Sequence, residues 1–561
     1  MHDLVIRGAR VVDGSGKPPF AADVAVDGDR IVTVGRVAEG ACRSLDAAGR
    51  LLTPGFIDAH THLDAQLFWD PLVSPCCWHG VTTVVVGNCG VSFAPVGPGD
   101  RERLARTLES VEEIPAESIL AGVPFGWEGY GGYLDGLSSR PLGANAVGLV
   151  GHAALRLYAM GEAATEEGRE PTPGQLTVMQ REVEAALDVG ALGFSTSRTA
   201  SHATPEGVPI PGTYASDAEL FALAEVLSRC GRGIVQWVAG FGERDQGPAF
   251  PGVRAEVHRI GETARRSGRP VVFSVFTHAL VPTIHRIVLE EATREQRAGA
   301  QIHPMFNPRP VLSLIGLANR SPVRAAAWRS LYALPAADRL AALEDAELRR
   351  GLQTVRPEVE ERAGTSLYLF GPERCDYELR PERRLDAVAK RRGERPVESL
   401  VGLLRETRGR QLFVSAGANQ VPEAVEEVFT HPGVLVGLGD AGAHVTAICD
   451  ASMPTHVLAC WCRDRGRLSV EEAVRRLSSE PAEVFGIQGR GRIAPGFYAD
   501  MNVIDLDALA MEVPEFVHDF PAGAGRWTQC ARGYAYTLVN GEIALENGCH
   551  TGRLAGRVLR P

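Results

Sequence analysis

Eight short apolar segments, separated by helix-like sequence, constrain the fold of this chain more than any other feature. They are continuous apolar runs, which is typical of strands buried on both faces of a parallel sheet. Their alternation with helical stretches predicts an α/β fold, a TIM-like (β/α)8 barrel. The predicted strands are residues 55–59, 82–86, 147–150, 191–195, 234–238, 271–275, 301–305 and 434–439.

The two ends of the chain have a different sequence pattern from the central segment. Residues 1–53 and 486–561 contain short strands of alternating polarity separated by turns such as Asp13-Gly14 and Asp27-Gly28, so we predict one small β-sandwich lobe formed by both termini. Residues 54–485 then form the barrel. The seventh and eighth predicted strands are far apart, and residues 322–362 between them are rich in Ala, Leu, Arg and Glu. We therefore expect a helical insertion at about 315–400, over the barrel mouth.

Composition excludes several functional classes. The formal net charge of −11 argues against a nucleic-acid-binding surface. No apolar run approaches the roughly 20 residues of a membrane helix, and the N-terminus enters a strand pattern directly. The 11 cysteines do not suggest a disulfide scaffold in a chain of 561 residues, and we interpret them as reduced thiols. We expect a cytoplasmic protein acting on a small molecule, and the sequence does not reveal its oligomeric state.

Metal-ligand residues follow three of the predicted strands. His60 and His62 come after the first strand, at the i, i+2 spacing that places two side chains on one face. Cys89 follows the second strand and Asp440 follows the eighth. In a parallel barrel these strand ends converge, and imidazole, thiolate and carboxylate are all ligands of Zn²⁺. Together they predict a zinc site.

The motifs around these residues resemble one family. They are P-G-F-I-D-A-H-T-H-L-D at 54–64, H-G-V-T-T-V-V-V-G-N-C-G at 79–90, G-H-A-A-L-R at 151–156, G-A-L-G-F-S-T at 190–196, G-D-A-G-A-H at 439–444 and G-x-I-x-P-G-x-x-A-D at 491–500. Over nearly its whole length, the chain resembles the amidohydrolase superfamily, specifically the N-acyl-D-amino-acid deacylase (D-aminoacylase) branch. The Asn-Cys-Gly after the second strand is the mark of that branch.

The resemblance implies a metal-dependent hydrolase acting on carbon–nitrogen bonds other than peptide bonds. The expected substrate is an N-acyl-D-amino acid or a related N-acylated small molecule, hydrolysed at a linear amide by a metal-activated water. His60, His62, Cys89 and Asp440 are then the metal ligands. Asp440 is also the general base, and we expect it to be the outermost ligand because catalysis requires an open coordination position.

Two departures from the family pattern bear on the number of metal ions. The family places ligand histidines at the ends of the fifth and sixth strands, whereas here Gln236 occupies the first position and His278 lies about three residues beyond the second. An amide oxygen binds Zn²⁺ poorly, and an ordinary loop position is favoured for His278. The family's His-Met-Arg segment near the fifth strand is also absent. We therefore expect one Zn²⁺ per chain.

Other polar residues near the strand ends are candidates for substrate contact. His152 could donate a hydrogen bond to the substrate carbonyl or merely pack its turn, and the sequence favours neither. Arg198 and Arg309 could each clamp a substrate carboxylate or form a salt bridge at the rim. Gln236 is placed with these substrate-binding candidates. Three further residues, Asp58, Asp64 and His444, are predicted to orient the ligands or to cap turns.

Two other interpretations stay open. The altered fifth and sixth strands would suit a different carbonyl substrate, such as a lactam, an ester or a biosynthetic intermediate, converted with or without hydrolysis. Alternatively, the chain is a non-enzymatic barrel used for binding or assembly. The presence of all four of His60, His62, Cys89 and Asp440 argues against the second of these, because no structural role requires them together.

Overall fold

The computed structural model describes residues 1–204, 207–241, 250–371 and 375–561. The chain begins with five strands whose buried residues are mostly aliphatic. The first strand is long enough to pair on one side with two others in succession, because its first half lies beside β4 and its last residues lie beside β5. The five strands are β1 (His2–Val11), β2 (Phe20–Asp27), β3 (Arg30–Gly35), β4 (Ala41–Asp46) and β5 (Leu51–Pro54).

Nine parallel strands form the centre of the molecule, and each predicted strand overlaps at least one of them. The third predicted strand is divided at Leu149, so that its first half pairs with β7 and its second half with β10. After the last strand, the Asp440 N–H donates to the carbonyl of His60 (3.0 Å), which brings the end of the series back to its start. The strands are β6 (Phe56–Asp58), β7 (Val81–Val86), β8 (Asn145–Gly148), β9 (Val150–Gly151), β10 (Gly193–Ser197), β11 (Ile234–Val238), β12 (Val271–Ser274), β13 (Ile302–Phe306) and, after the insertion, β17 (Leu435–Val436).

Helices separate these strands and cover them. Several begin and end with residues suited to those positions: Thr172 and Gln175 form a capping box at the start of α5, and Gly231 and Gly268 adopt left-handed conformations at the ends of α6 and α7. The helices are α1 (Arg101–Glu112), α2 (Ala116–Gly122), α3 (Tyr130–Ser138), α4 (His152–Met160), α5 (Pro173–Asp188), α6 (Asp217–Cys230), α7 (Pro251–Ser267) and α8 (Ile284–Arg297).

The segment between β13 and β17 contains helices, as expected, but also an antiparallel sheet that the sequence analysis did not predict. In this sheet β16 lies between β14 and β15. Phe413 packs among the helices, whereas Leu412 and Val414 face Trp527 on the other side. The elements are β14 (Val311–Ile315), α9 (Ala326–Ala333), α10 (Ala336–Ala342), α11 (Ala346–Gln353), α12 (Pro357–Ser366), β15 (Leu367–Phe370), α13 (Leu385–Arg392), α14 (Pro396–Glu406), β16 (Leu412–Ala418) and α15 (Pro422–Phe429).

The C-terminal strands return to the N-terminal ones. One nine-stranded sheet has the order β25-β24-β23-β18-β5-β1-β2-β3, with β4 also paired to β1. The ends of the chain therefore share a sheet, whose hydrophobic core is separate from that of the central strands. The elements are α16 (Met453–His456), continued by π-helix Val457–Asp464, then α17 (Val470–Leu477), α18 (Ser479–Phe485), β18 (Met501–Ile504), β19 (Ala510–Met511), β20 (Glu515–Val517), β21 (Arg526–Thr528), β22 (Ala531–Arg532), β23 (Tyr534–Val539), β24 (Glu542–Glu546) and β25 (Cys549–His550).

Short 3₁₀ turns occur at Gln66–Phe68, Cys76–His79, Gly161–Thr165, Pro381–Arg383 and Pro521–Gly523. Within the described ranges, none of the helices combines the length and the apolar character needed to cross a bilayer.

Candidate metal centre

Three of the predicted ligands meet in one buried cluster. His60 and His62 lie just beyond β6, and Cys89 lies in the turn after β7. The Sγ of Cys89 is 3.3 Å from Nε2 of His60 and 3.5 Å from Nε2 of His62, and the two imidazole nitrogens are 3.3 Å apart. Among the residues that the structure describes, these three form the group whose ligand atoms all lie within 4.8 Å of one another.

These separations can be compared with those of a tetrahedral zinc site. Zn–N bonds of about 2.0–2.1 Å and Zn–S bonds of about 2.3 Å at tetrahedral angles separate two nitrogens by about 3.3 Å, and nitrogen from sulfur by about 3.5 Å. The observed separations are 3.3 Å between the nitrogens and 3.3 and 3.5 Å between nitrogen and sulfur. The three side chains therefore fit three corners of such a site without rearrangement.

The turn that carries Cys89 is held by three neighbouring segments. Cys89 adopts a left-handed backbone conformation (φ 56°), which is uncommon for a residue with a side chain. Its N–H donates to Oε1 of Gln236 on β11 (2.8 Å). The Gly90 N–H donates to Oγ of Ser195 on β10 (2.9 Å), and Nδ2 of Asn88 donates to the carbonyl of Thr61 (3.0 Å). These bonds fix the direction of the thiol.

Asp440 lies at the edge of the cluster. Its Oδ1 is 3.4 Å from Nε2 of His60, and its side chain is 19% exposed, whereas the three clustered side chains are buried. Asp58 holds this strand end against the first one, because its Oδ1 accepts from the N–H groups of both His60 and Gly439 (3.3 Å each). Asp58 thus binds backbone groups at the start and the end of the series of strands.

Glu112, at the end of α1, is a partner of the cluster that the sequence analysis missed. Its Oε1 lies 2.8 Å from Nδ1 of His62, and the two side chains are 1% and 2% exposed. Carboxylates commonly bind the second nitrogen of a ligand histidine and fix its orientation. Nothing in the local sequence around Glu112 indicates this pairing, since it depends on how α1 packs.

The protonation equilibria in the cluster reflect burial and mutual charge. Burial raises the pKa of the Cys89 thiol to about 11 and that of the Asp440 carboxyl well above its usual range. Burial, together with His62, lowers the pKa of His60. For His62, Glu112 and Cys89 outweigh burial, and its pKa is raised well above the ordinary value. A divalent cation would supply the positive charge that lets a buried thiol and carboxyl ionise.

His202, a second residue absent from the predicted set, lies in the loop after β10. Its Nδ1 is 2.9 Å from Oγ of Ser197, at the end of that strand. Burial and the nearby His444 and His62 lower the pKa of His202 to about 4, although Glu112 opposes the shift. His202 is therefore neutral at neutral pH.

The structure gives His152 partners that leave its ring without a free nitrogen. Nδ1 lies 2.9 Å from Oγ1 of Thr196, and Nε2 lies 2.8 Å from Oε1 of Glu219. Arg156 binds the same carboxylate through Nη1 (2.7 and 2.6 Å). This geometry does not support the prediction that His152 donates a hydrogen bond to the substrate; it favours the packing alternative.

The two candidate arginines differ in exposure. Arg309 is 1% exposed, its Nη2 lies 3.1 Å from Asp450, and its Nη1 donates to the carbonyl of Cys449 (2.7 Å). Because its guanidinium is buried and paired within the protein, the geometry does not support Arg309 as a substrate ligand. The side chain of Arg198 is 15% exposed; Nη1 donates to the carbonyl of Ala215 (2.8 Å), and Nε lies 3.3 Å from Glu256.

The remaining candidates are Gln236, His278 and Asp64, of which His278 is exposed and the other two are buried. Gln236 is fully buried, with its oxygen bound to Cys89 rather than directed at an open cavity. His278 is exposed, forms a β-bridge with Val281 and lies outside the ligand cluster. Both carboxylate oxygens of Asp64 are buried, and burial raises its pKa to about 6.

Comparison with known proteins identifies similar sequences and structures. The sequence pattern of the amidohydrolase family matches residues 43–545. An N-acyl-D-glutamate deacylase from Alcaligenes xylosoxydans xylosoxydans is 30% identical over 100% of this chain and 96% of its own length. A D-aminoacylase structure concerned with a binuclear metal centre, and with activation by one metal and attenuation by a second, is 25% identical. The structure of N-acyl-D-glutamate deacylase from Bordetella bronchiseptica, complexed with zinc and a phosphonate inhibitor, is 27% identical.

Both structures match 100% of this chain and 100% of their own, with a TM-score of 0.67. This likeness assigns a TIM-barrel catalytic domain accompanied by a β-rich domain. The family match extends over most of the chain, and the relatives match it from end to end. The chain therefore belongs to the amidohydrolase family of hydrolases, in which it is a divergent member of the N-acyl-D-amino-acid deacylase branch.

Proposed function

We propose that this protein is a zinc-dependent amidohydrolase that hydrolyses the amide of an N-acyl-D-amino acid or a related N-acylated small molecule. The observation that carries the proposal is the buried triangle of His60, His62 and Cys89, whose dimensions fit zinc. The relatives named N-acyl-D-glutamate deacylase and D-aminoacylase support the substrate class.

In this proposal His60, His62 and Cys89 hold the cation, with Asp440 at the outer position. When bound, the cation supplies Lewis acidity, which polarises a carbonyl and lowers the pKa of water towards about 7. The Asp440 carboxylate accepts the proton of the attacking water and delivers it to the nitrogen of the leaving amine. Its placement beside Nε2 of His60, with part of its side chain exposed, suits it to both steps.

We infer a single zinc ion per chain. On β11 the oxygen of Gln236 is already bound to the Cys89 N–H, and His278 is exposed and lies outside the cluster. Among the described residues, no further histidine joins His60 and His62 in the ligand cluster with Cys89. The D-aminoacylase relative, for which activation by one metal is described, is consistent with catalysis by a single ion.

For the substrate carboxylate we propose Arg198 as the ligand. It follows the strand end at Ser197 and retains partial exposure, whereas Arg309 is enclosed by Asp450 and Cys449. A guanidinium binds a carboxylate through paired N–H groups, which would orient the amino-acid part of the substrate.

We also propose closure of the central strands into a (β/α)8 barrel over 54–485, with the terminal segments 1–53 and 486–561 forming a β-sandwich lobe. The backbone bond between Asp440 and His60 supports closure, and the sheet shared by β5 and β18 supports the common lobe.

Metal analysis and a substrate panel test the function. Protein purified without added metal should contain about one zinc per chain, and metal-loaded protein should hydrolyse at least one member of a panel of N-acyl-D- and N-acyl-L-amino acids. Absence of metal, or two tightly bound ions, would contradict the single-zinc site.

Asp440→Asn distinguishes the two roles of the aspartate. We expect turnover to be abolished while zinc content stays near that of the unchanged protein, because the other three ligands remain. If the unchanged protein binds zinc but hydrolyses no member of the panel, the same metal site acting on another carbonyl substrate, such as a lactam or an ester, becomes the better proposal.

A further inference from the structure

Gln236, the middle residue of β11, contacts one of the proposed ligands. The side chain is fully buried, and Oε1 accepts the backbone N–H of Cys89 at 2.8 Å. Its Nε2 is also buried and has no hydrogen-bond partner among the residues that the structure describes. Because Oε1 and Nε2 belong to one amide, the unpartnered N–H₂ group must lie close to Cys89 as well.

The backbone of Cys89 requires such support. A left-handed conformation is uncommon for a residue with a Cβ, and persists where the surroundings enforce it. The flanking residues cannot easily be rearranged, because a Cβ added at Gly87 would approach the carbonyl oxygen of Leu149 to 2.0 Å. A Cβ added at Gly90 would lie 3.1 Å from the backbone nitrogen of Ser197, a less severe contact. The bond to Gln236 is made by the backbone N–H of Cys89 itself.

We propose that Gln236 is the positioning residue of the metal centre: its oxygen fixes Cys89 as the third ligand, and its N–H₂ group prevents a second cation from binding beside that cysteine. The proposal rests on the proposed zinc site. The lone pair of an amide nitrogen is delocalised into the carbonyl and is not available to a cation, so the N–H₂ group presents two N–H donors instead. One side chain thus performs both parts of the role.

Two substitutions of Gln236 separate the positioning of Cys89 from the exclusion of a second cation. Gln236→Met has a side chain of similar length but lacks the carbonyl acceptor, so Cys89 loses its backbone partner. Gln236→Glu keeps an oxygen for the Cys89 N–H and replaces the N–H₂ group with a second oxygen, which is a zinc ligand. Gln411→Met is the matched control, because Gln411 is also buried and binds backbone carbonyls, but lies in the insertion at the start of β16.

The experiment is zinc titration of the metal-free full-length variants, with cobalt substitution to observe the thiolate-to-metal charge-transfer band. We expect one equivalent in the unchanged protein and in Gln411→Met. In Gln236→Met, zinc affinity should fall by about tenfold or more and the charge-transfer band should weaken, the magnitude seen when partners of metal ligands are removed. In Gln236→Glu, the first equivalent should bind within about threefold of the unchanged affinity, with a second, weaker equivalent appearing.

Each part of the proposal has its own contradicting result. Unchanged zinc affinity and an unchanged band in Gln236→Met would refute positioning, and a single equivalent in Gln236→Glu would refute exclusion. A comparable loss of affinity in Gln411→Met would show that the effect is general destabilisation. If instead the unchanged protein binds no zinc, the proposed function fails, whatever the variants do.

Discussion

Nδ1 of His62 lies 2.8 Å from Oε1 of Glu112, and this contact is enclosed within the protein. The carboxylate thereby sets which nitrogen of His62 faces Cys89, and it raises the basicity of the ring. The proposed metal site therefore involves the last residue of α1 as well as the strand ends.

Glu112→Gln should weaken zinc binding by about tenfold, because the neutral amide no longer orients and charges His62. Competition with a chromogenic chelator measures the affinity. Glu113→Gln is the control, because Glu113 is the next residue but pairs with Arg320 at the surface. Equal affinities for both variants and the unchanged protein would show that Glu112 does not act on the metal site.

Arg309→Met should destabilise the fold by about 3–5 kcal/mol, because it leaves the Asp450 carboxylate buried without its cation. The midpoint of thermal unfolding is the measurement. Arg198→Met should instead raise KM for N-acyl-amino acids, because it removes the proposed ligand of their carboxylate, with a smaller change in the midpoint. A raised KM and an unchanged midpoint in Arg309→Met would restore its predicted role in substrate binding.

His152→Gln should lower the thermal midpoint while leaving zinc content unchanged, because His152 joins Thr196 to Glu219 inside the protein. We expect kcat of the folded variant to fall by less than about tenfold, since no catalytic proton transfer is lost. A fall of more than about a hundredfold without loss of stability would identify His152 as a catalytic residue after all.

Acid should destabilise the protein through His79, which is fully buried between Thr455 and Gln529. Burial lowers its pKa to about 3, from 6.5 in the unfolded chain. Because the folded form binds the proton less readily, the stabilisation is complete above pH 6.5 and is lost as the pH falls towards 3, at up to about 1.4 kcal/mol per pH unit.

The measurement is the midpoint of thermal unfolding between pH 6.5 and pH 4.5, where His79→Gln should show a shallower decline than the unchanged protein. Only the slope is compared, so a uniform loss of stability in the variant does not affect the result. Parallel curves would mean that another group is responsible for the acid sensitivity.

The sequence is informative where chemistry is tied to local pattern. His60 and His62 share a face because of their spacing, and Cys89 joins them because the ends of neighbouring parallel strands converge. Glu112 was not predictable, since its contact is created by the packing of a helix about 50 residues after the histidine. Arg309 shows the same limit: its place after β13 was evident, but its pairing with Asp450 depends on a loop far along the chain.

The fold also has parts that the sequence predicts and parts that it does not. Continuous apolar runs identify the central strands, because residues buried on both faces leave a strong signal. The antiparallel sheet of the insertion leaves a weaker sequence signal. Its strands β14 and β16 are partners separated by about 100 residues, and they lie in a region dominated by helical composition. The division of the third strand at Leu149 reflects a change of neighbour from β7 to β10, which is a tertiary property.

The pairing of β5 with β18 has a consequence for biosynthesis. β5 is synthesised early, yet its antiparallel partner begins only at Met501. During translation, one edge of the early strands must therefore stay unpaired until almost the whole chain has left the ribosome. Nascent chains of this protein would expose that edge to other strands for most of their synthesis, which is the period when chaperone binding would matter most.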